Sequence, residues 1–307
     1  MMRIITVGSV TRDTLVFPQE DNYRVIHSFG GILYTAIAMA SITKGTVVPV
    51  CNVGFDAYDN VLTILGQFKN IDVSQIQKSN TKNIHCHIFY TSDYGTQYDE
   101  GNDIPISYKQ IQPSASKSDF VFVSLMTGFD ITLNTLKKIK KSANCPVYFD
   151  YHILSMGRDS LGNRFLLKRA DWFEWCTNCD FLQLNEFEAK LLHESSVCSK
   201  TGALDFSKPI LNEGIKSVAI TLGCNGAIIC FDDKHGRKRC LHIAGQRVSK
   251  IVDATGCGDV FAAGFIGHYM ISKSLLGSYR YANKVAALKT QISGIEGLAG
   301  LVQKMNI

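Results

Sequence analysis

The sequence predicts an α/β protein, a mostly parallel central sheet with helices on both faces, interrupted by two segments of short strands. Three observations carry that expectation. Short apolar runs alternate with helical periods along most of the chain, as in a sheet whose parallel strands are joined by crossover helices. Two segments break the rhythm with short alternating strands and no helix between them. Near the C-terminus a glycine-rich stretch leads into a run of small apolar residues, the pattern of a buried helix with an open first turn.

In chain order, strand-like runs fall at 3–10 (RIITVGSV), 46–53, 120–125, 146–151, 181–185, 217–223 and 226–231. Helical periods fall at 31–43, 57–69, 132–141, 163–175 and 186–193, and two further helices at 257–272 and about 275–292 close the pattern. The interruptions are 11–28 and 82–104. The second contains HCHIFYTS, with His85, His87, Phe89, Tyr90, Tyr94 and Tyr98. An alternating strand with aromatic residues on one face must bury that face, so it covers a substrate, a partner subunit or both. His85 and His87 lie two apart and share a face. No Cys or carboxylate at fixed spacing joins them, so packing is the expected role rather than a metal site.

Composition narrows the function classes. The 307 residues are 46% apolar and 19% charged, enough for a large core and too apolar for disorder. Thirty-two basic against 27 acidic residues give a net charge of +5, which favours an anionic ligand. Dense Lys/Arg runs of the kind that bind nucleic acid are missing; KKIKK at 137–141 reads as the solvated face of a helix. Residues 25–43 lack Asp, Glu, Lys and Arg but hold His27, Ser28, Gly30 and Gly31, a buried strand and helix rather than a membrane span. The start MMRIITVGSV has no signal-peptide pattern, and ten cysteines scattered through strands and helices read as reduced thiols of a cytoplasmic protein. Cys176 and Cys179 form a CxxC with no second ligand pair, so helix-end packing is expected there.

Residues 253–265 read DATGCGDVFAAGF. Glycines at a helix start let an anion approach unsatisfied N–H donors at the positive end of the backbone dipole. Asp259, in the first turn, cannot help to hold a phosphate and is better explained as a base. A dinucleotide fingerprint fails because position 261 is Phe and no Asp or Glu occurs from Val260 to Ile295; no GxxxxGK[ST] occurs either. The same acid-free stretch carries Lys273, Arg280, Lys284 and Lys289, which suits a polyphosphate nearby.

This long motif closely resembles the C-terminal signature of the ribokinase-like (PfkB) carbohydrate and nucleoside kinases. The resemblance implies Asp259 as catalytic base and the main chain of Gly256, Cys257 and Gly258 as anion hole. Further landmarks follow in the family's order. Asp13 ends an opening strand and turn and would reach acceptor hydroxyls; Gly30 and Gly31 resemble the diglycine against which the acceptor lies. Asn185 and Glu188 resemble the N-x-x-E motif that organises magnesium and phosphate through water. Thr221, Gly223 and Gly226 resemble the nucleotide loop, and Asn283 lies in a helix bordering the adenine. The two interruptions fall where the family inserts its lid, which implies a core of 1–10, 29–81 and 105–307 and a lid of 11–28 and 82–104. ATP and Mg2+ are implied as donor and metal, with K+ at a monovalent-cation loop containing Asp253, and a homodimer formed through the lid.

The chain also departs from the family. Thr35 stands where many members have Asn, after Ile32, Leu33 and Tyr34. Only Asp150 of FDYHILSMGRD matches the family's central motif, leaving His152 and Arg158 unassigned, and SGIEGLAG fits its C-terminal loop poorly. The expected function is phosphorylation of a hydroxyl on a small sugar or sugar-like acceptor, with a nucleoside kinase or a non-catalytic ligand-binding protein as alternatives and a nicotinamide-dependent oxidoreductase disfavoured. If Ile32, Leu33 or Tyr34 faces the acceptor rather than the core, the pocket suits a nucleoside.

Overall fold

The structure, a computed structural model, describes residues 2–19, 22–90, 95–193 and 197–301; Tyr94 lies outside them. In chain order the elements are β1 (Arg3–Val7), β2 (Val10–Pro18), β3 (Tyr23–Gly31), α1 (Ile32–Ile42), β4 (Thr46–Gly54), α2 (Tyr58–Leu65), β5 (Ile76–Ser79), β6 (His85–Phe89) and β7 (Thr96–Glu100). They continue with α3 (Tyr108–Ala115), β8 (Phe120–Ser124), α4 (Leu133–Ser142), β9 (Val147–Asp150), β10 (Met156–Arg158), β11 (Arg164–Leu166), α5 (Trp172–Thr177), β12 (Phe181–Asn185) and α6 (Glu186–Leu192). The chain then forms α7 (Lys200–Asn212), β13 (Ser217–Thr221), β14 (Ala227–Asp232), β15 (Lys238–Ile243), α8 (Cys257–Ser272) and α9 (Leu275–Lys289).

Nine strands form the main sheet in the order β15-β14-β13-β12-β9-β8-β1-β4-β5. All neighbours from β13 to β5 are parallel, and the β14–β15 hairpin closes one edge antiparallel. Strands buried on both faces read as continuous apolar runs, which is why FVFVS of β8 is buried at every position. Helix α8 packs against both α1 and α9, while α3, α4, α5 and α7 pack in succession. β1 lies between β4, from which the sheet grows to β5, and β8, from which it grows in the other direction, so the crevice at the C-terminal ends of β1 and β8 is the topological switch point, where ligands of such sheets bind.

The two interruptions form a separate four-stranded sheet, order β3-β2-β6-β7. It is mixed: β2 pairs antiparallel with β3 and parallel with β6. Buried Arg164 bonds to Asp99 of β7 through its Nε at 2.7 Å and to the Thr127 carbonyl, and Arg158 pairs with Asp103, so the small sheet is pinned to the core.

Several sequence expectations are corrected. The helical period at 163–175 is instead mostly β11 and the start of the short α5; β11 pairs with β10 across a turn in which Asp159 accepts the N–H groups of Leu161 and Asn163 and Gly162 adopts φ +94°. Helices α3 and α7 each carry an internal proline, Pro113 and Pro209, and so did not read as helices. The cysteines are not all reduced thiols: Cys230 and Cys240 form a disulfide, being direct register partners across β14 and β15 with Cα atoms 4.1 Å apart. The other eight are free, and Cys176 and Cys179 pack in the core at the end of α5.

Candidate active site

A cavity of about 370 Å³ opens at the switch point, between the ends of the strands and the small sheet. Its walls include Asp13, Gly31 and Tyr34, residues just beyond the ends of β8 and β9 (Met126, His152), Asn185 and Glu188 at the end of β12, and Thr255, Gly256 and Asp259. Buried Asp130 shapes the β8 exit, its carboxylate accepting the N–H groups of Ser9, Met126, Thr127 and Gly128.

Asp259 lies in the first turn of α8, partly accessible to the cavity. The Thr35 hydroxyl, fully buried on α1, donates to its Oδ1 at 2.6 Å. Burial pushes the Asp259 carboxyl up to about 6, while the Thr35 bond and the Lys289 ammonium pull it down. Thr35, where many family members have Asn, thus meets the candidate base directly. Gly256 caps α8 with φ +77°, and a Cβ there would lie 2.4 Å from the Tyr34 ring. Gly258 has no such constraint, since a Cβ would meet only Gln183 Nε2 at 3.4 Å and Asp150 Oδ2 at 3.9 Å. The Cys257 N–H turns back onto the Ala254 carbonyl at 3.2 Å, and burial pushes its thiol up to about 11.

On the opposite wall, Gly30 is required by proximity: a Cβ would lie 1.9 Å from Asp13 Oδ2. Gly31, at φ +66°, brings α1 against Ser9. Burial pushes Asp13 up to about 6, opposed by the Thr11 hydroxyl and assisted by the Asp99 charge. Ile32 and Leu33 point into the core; Tyr34, also buried, lines the cavity, and its hydroxyl has no hydrogen-bond partner among the described residues. From the small sheet, Tyr90 Oη reaches Thr255 Oγ1 at 3.3 Å, so the lid touches the loop that precedes α8.

Asn185 and Glu188 form a reciprocal capping box on α6: Asn185 Oδ1 accepts the N–H groups of Phe187 and Glu188, and Glu188 Oε2 accepts the Asn185 N–H at 2.8 Å. Glu188 is buried, and that burial pushes it up to about 8, with the Asn185 N–H pulling the other way. Asp150 lies well above the usual range through burial, then through the charges of Glu188 and Asp259. The side-chain bonds recorded to Asp150 and Glu188 among the described residues come from the amides of Gln183 (3.2 Å) and Asn185, none from a cation. Buried carboxylates that repel one another in an oxygen-rich site fit a divalent cation such as Mg2+. Gln183, in the middle of β12, also donates to the Gly258 carbonyl at 3.1 Å and was not among the expected site residues; Asp150, which ends β9, matched the family's central motif without an assigned role.

A second cavity, about 460 Å³, lies beside the loop between β13 and β14 and is lined by Leu222, Cys224, Asn225, His242, Gly245 and Arg247 among others. Gly223 and Gly226 shape that loop with φ +55° and +90°. Asn283 donates to the Ala244 carbonyl at 2.9 Å and so fixes the cavity wall rather than lining it, and Thr221 Oγ1 faces the Leu184 carbonyl at 3.4 Å. The basic residues of the acid-free stretch do not surround either cavity: Lys273 and Arg280 are exposed and Lys289 is buried against Asp253. Arg247 is the cation that borders the second cavity, and no motif marked it.

A larger groove, about 870 Å³, follows the other face of the small sheet, between Arg12, His27 and His85 and residues of α2. There Glu100, opposite His85 in register, brings a carboxylate within 4.8 Å of His85 and His87, which sequence spacing did not reveal. His85 is held below its usual range by burial and by the neighbouring His87 and Arg12 charges. No described helix is long and apolar enough to cross a membrane.

Compared with known protein families, residues 3–297 match the pfkB family carbohydrate kinase. A ribokinase of Staphylococcus aureus (strain COL) is 30% identical over 128 residues, 41% of this chain and only 40% of that relative's length. A cytidine kinase of Thermococcus kodakarensis is 26% identical over 294 residues, covering 90% of this chain and 91% of the relative. Among solved structures, Arabidopsis thaliana ribokinase complexed with ribose and ATP superposes with a TM-score of 0.77 at 19% identity, covering 100% of both chains.

Proposed function

The chain belongs to the pfkB family of carbohydrate kinases, and on that premise we propose that it transfers the γ-phosphoryl group of ATP to a hydroxyl of a small sugar or sugar-like acceptor. One observation carries the proposal: Asp259 stands at the N-terminus of α8, oriented by Thr35, in a cavity whose opposite wall holds Asp13.

In this reading Asp13 and the backbone at Gly30 and Gly31 hold the acceptor, with its reacting hydroxyl at Asp259. That carboxylate, ionised above about pH 6, takes the hydroxyl proton as the oxygen bonds to phosphorus and the bond to ADP breaks. The α8 N-terminus beyond Gly256 receives the negative charge of the phosphoryl oxygens. Asp150, Asn185 and Glu188 would hold Mg2+, which when bound neutralises phosphate charge. The nucleotide would lie toward the second cavity, against the Gly223–Gly226 loop and the wall fixed by Asn283, with Arg247 as a phosphate partner. The Tyr90–Thr255 contact supports a lid that closes over the site and excludes the water that would otherwise hydrolyse ATP.

A nucleoside acceptor is favoured by the cavity's apolar side, formed by Tyr34, Ile88, Tyr90, Met126, Ile153 and Met156, and by the near full-length match to a cytidine kinase. A homodimer through the lid is supported by Tyr23, Val25 and Phe89, exposed on the small sheet; light scattering at micromolar concentration tests it. The test of function is a coupled ADP-release screen over pentoses, hexoses, inositols and nucleosides. Acceptor-dependent ADP formation is expected, and its absence with every acceptor would leave a ligand-binding protein.

A further inference from the structure

Lys289 is a charge for which the proposed reaction has no use: a lysine at the end of α9 with 0% exposure, lining none of the three cavities. Its Nζ lies 3.0 Å from Asp253 Oδ2 and 3.1 Å from the Asp253 carbonyl oxygen, and 5.7 Å from the centroid of the Tyr34 ring. The same Asp253 carboxylate accepts the Thr255 N–H at 2.8 Å and the Gly294 N–H at 3.1 Å. One aspartate thus ties together the loop that enters α8, the end of α9 and the turn that follows it.

Such a cluster is the place where a monovalent cation was expected. K+ is held by oxygen ligands, and the Asp253 oxygens are taken: Lys289 occupies Oδ2 and the carbonyl, and Oδ1 holds the Thr255 N–H. A second positive charge there would face the ammonium at contact distance inside the protein. The residues present therefore do not fit K+. Removing the ammonium, conversely, would leave the half-buried Asp253 carboxylate with no opposite charge and only the Thr255 and Gly294 N–H groups as partners.

We propose that Lys289 is a built-in replacement for a monovalent cation: its ammonium holds the Asp253–Gly256 turn in the form that caps α8 and presents Asp259, so that phosphoryl transfer needs no K+. Lys289 is a positioning residue, acting through Asp253 and the turn and touching no substrate. The proposal rests on the kinase reading for its catalytic consequence and on the geometry alone for its cation chemistry.

The test compares wild type and Lys289→Met in KCl, NH4Cl, NaCl and tetramethylammonium chloride at equal ionic strength, reading both kinetics and melting temperature. Wild type should show the same kcat and the same melting temperature in all four salts. Lys289→Met should lose about 10- to 100-fold in kcat with little change in the ATP KM, as expected when a supporting group behind a site is removed. K+ or NH4+ should restore part of that loss and raise the variant's melting temperature above its value in tetramethylammonium. Saturable activation of wild type by K+ over Na+ and tetramethylammonium would overturn the proposal. So would a Met variant with wild-type kcat, or one whose loss no small cation repairs. If Lys289→Met does not fold, the wild-type salt series decides by itself. If no acceptor is phosphorylated, the kinase reading fails while the salt-specific melting shift of the variant still decides this one.

Discussion

Replacing Asp259 by Asn should slow turnover and stabilise the protein, and the second effect is the more discriminating. Burial raises the Asp259 carboxyl from 3.8 to about 6, so the folded state binds its proton more tightly than the unfolded chain does. Stability linked to this group is therefore complete at low pH and declines as pH rises from about 4 to about 6. At about 1.36 kcal/mol per pH unit, the ionised carboxylate would cost about 3 kcal/mol at neutral pH, and solvent access reduces that to about 1–2 kcal/mol. With an unfolding entropy of ~2.1 cal/mol/K per residue, a chain this long should gain about 2–3 °C in melting temperature. Calorimetry of both proteins at pH 7.5 and pH 4.5 reads this directly: Asn should melt higher at pH 7.5, and the difference should shrink to about a third of that at pH 4.5. The same variant should lose about 10²- to 10⁴-fold in kcat with ATP binding retained. An Asn variant that melts lower at pH 7.5, or by the same margin at both pH values, would refute the electrostatic account of the site.

Other consequences are as direct. Gly256→Ala places a side chain at φ +77° against the Tyr34 ring, so it should destabilise by at least the ~1–2 kcal/mol of a left-handed residue and abolish activity. Gly258→Ala, with room for its Cβ, should keep the wild-type melting temperature, and a comparable loss there would show that the helix start is misread. Thr35→Val deletes the 2.6 Å bond that lowers the Asp259 pKa, so the acid limb of kcat/KM should move above its wild-type position near pH 6; an unmoved limb would separate Asp259 from the rate. Glu188→Gln removes one of the buried carboxylates and should raise the Mg2+ concentration needed for half-maximal rate by about 10- to 100-fold, with titration of the free metal as the assay.

Much of the fold was legible because its strands are buried on both faces and its helices keep a clear period. The misses have local causes. Pro113 and Pro209 disguised α3 and α7 as breaks, and the Asp159–Gly162 turn folded the start of an expected helix back on β10 as a strand. The motif DATGCGDVFAAGF pointed to the candidate site, since a left-handed Gly256 at a helix start leaves a mark in sequence. What it could not show were partners distant in the chain. Thr35 meets Asp259 across 224 positions, Gln183 meets Gly258 across 75 and Lys289 meets Asp253 across 36. Each of those side chains reads as an ordinary residue of a helix or strand until the sheet brings it to the crevice. The Cys230–Cys240 pair was within reach, because two cysteines flanking a DDKHG turn at equal strand positions are register partners in a hairpin.

The central claim, that Asp259 drives phosphoryl transfer to a small hydroxyl acceptor, is tested most directly by running the ADP-release screen with wild type and Asp259→Asn side by side. Wild type should release ADP only when one of the sugars or nucleosides is present, and the Asn variant should be slower by about 10²- to 10⁴-fold on that acceptor. Acceptor-dependent release at equal rates in the two proteins would contradict the claim.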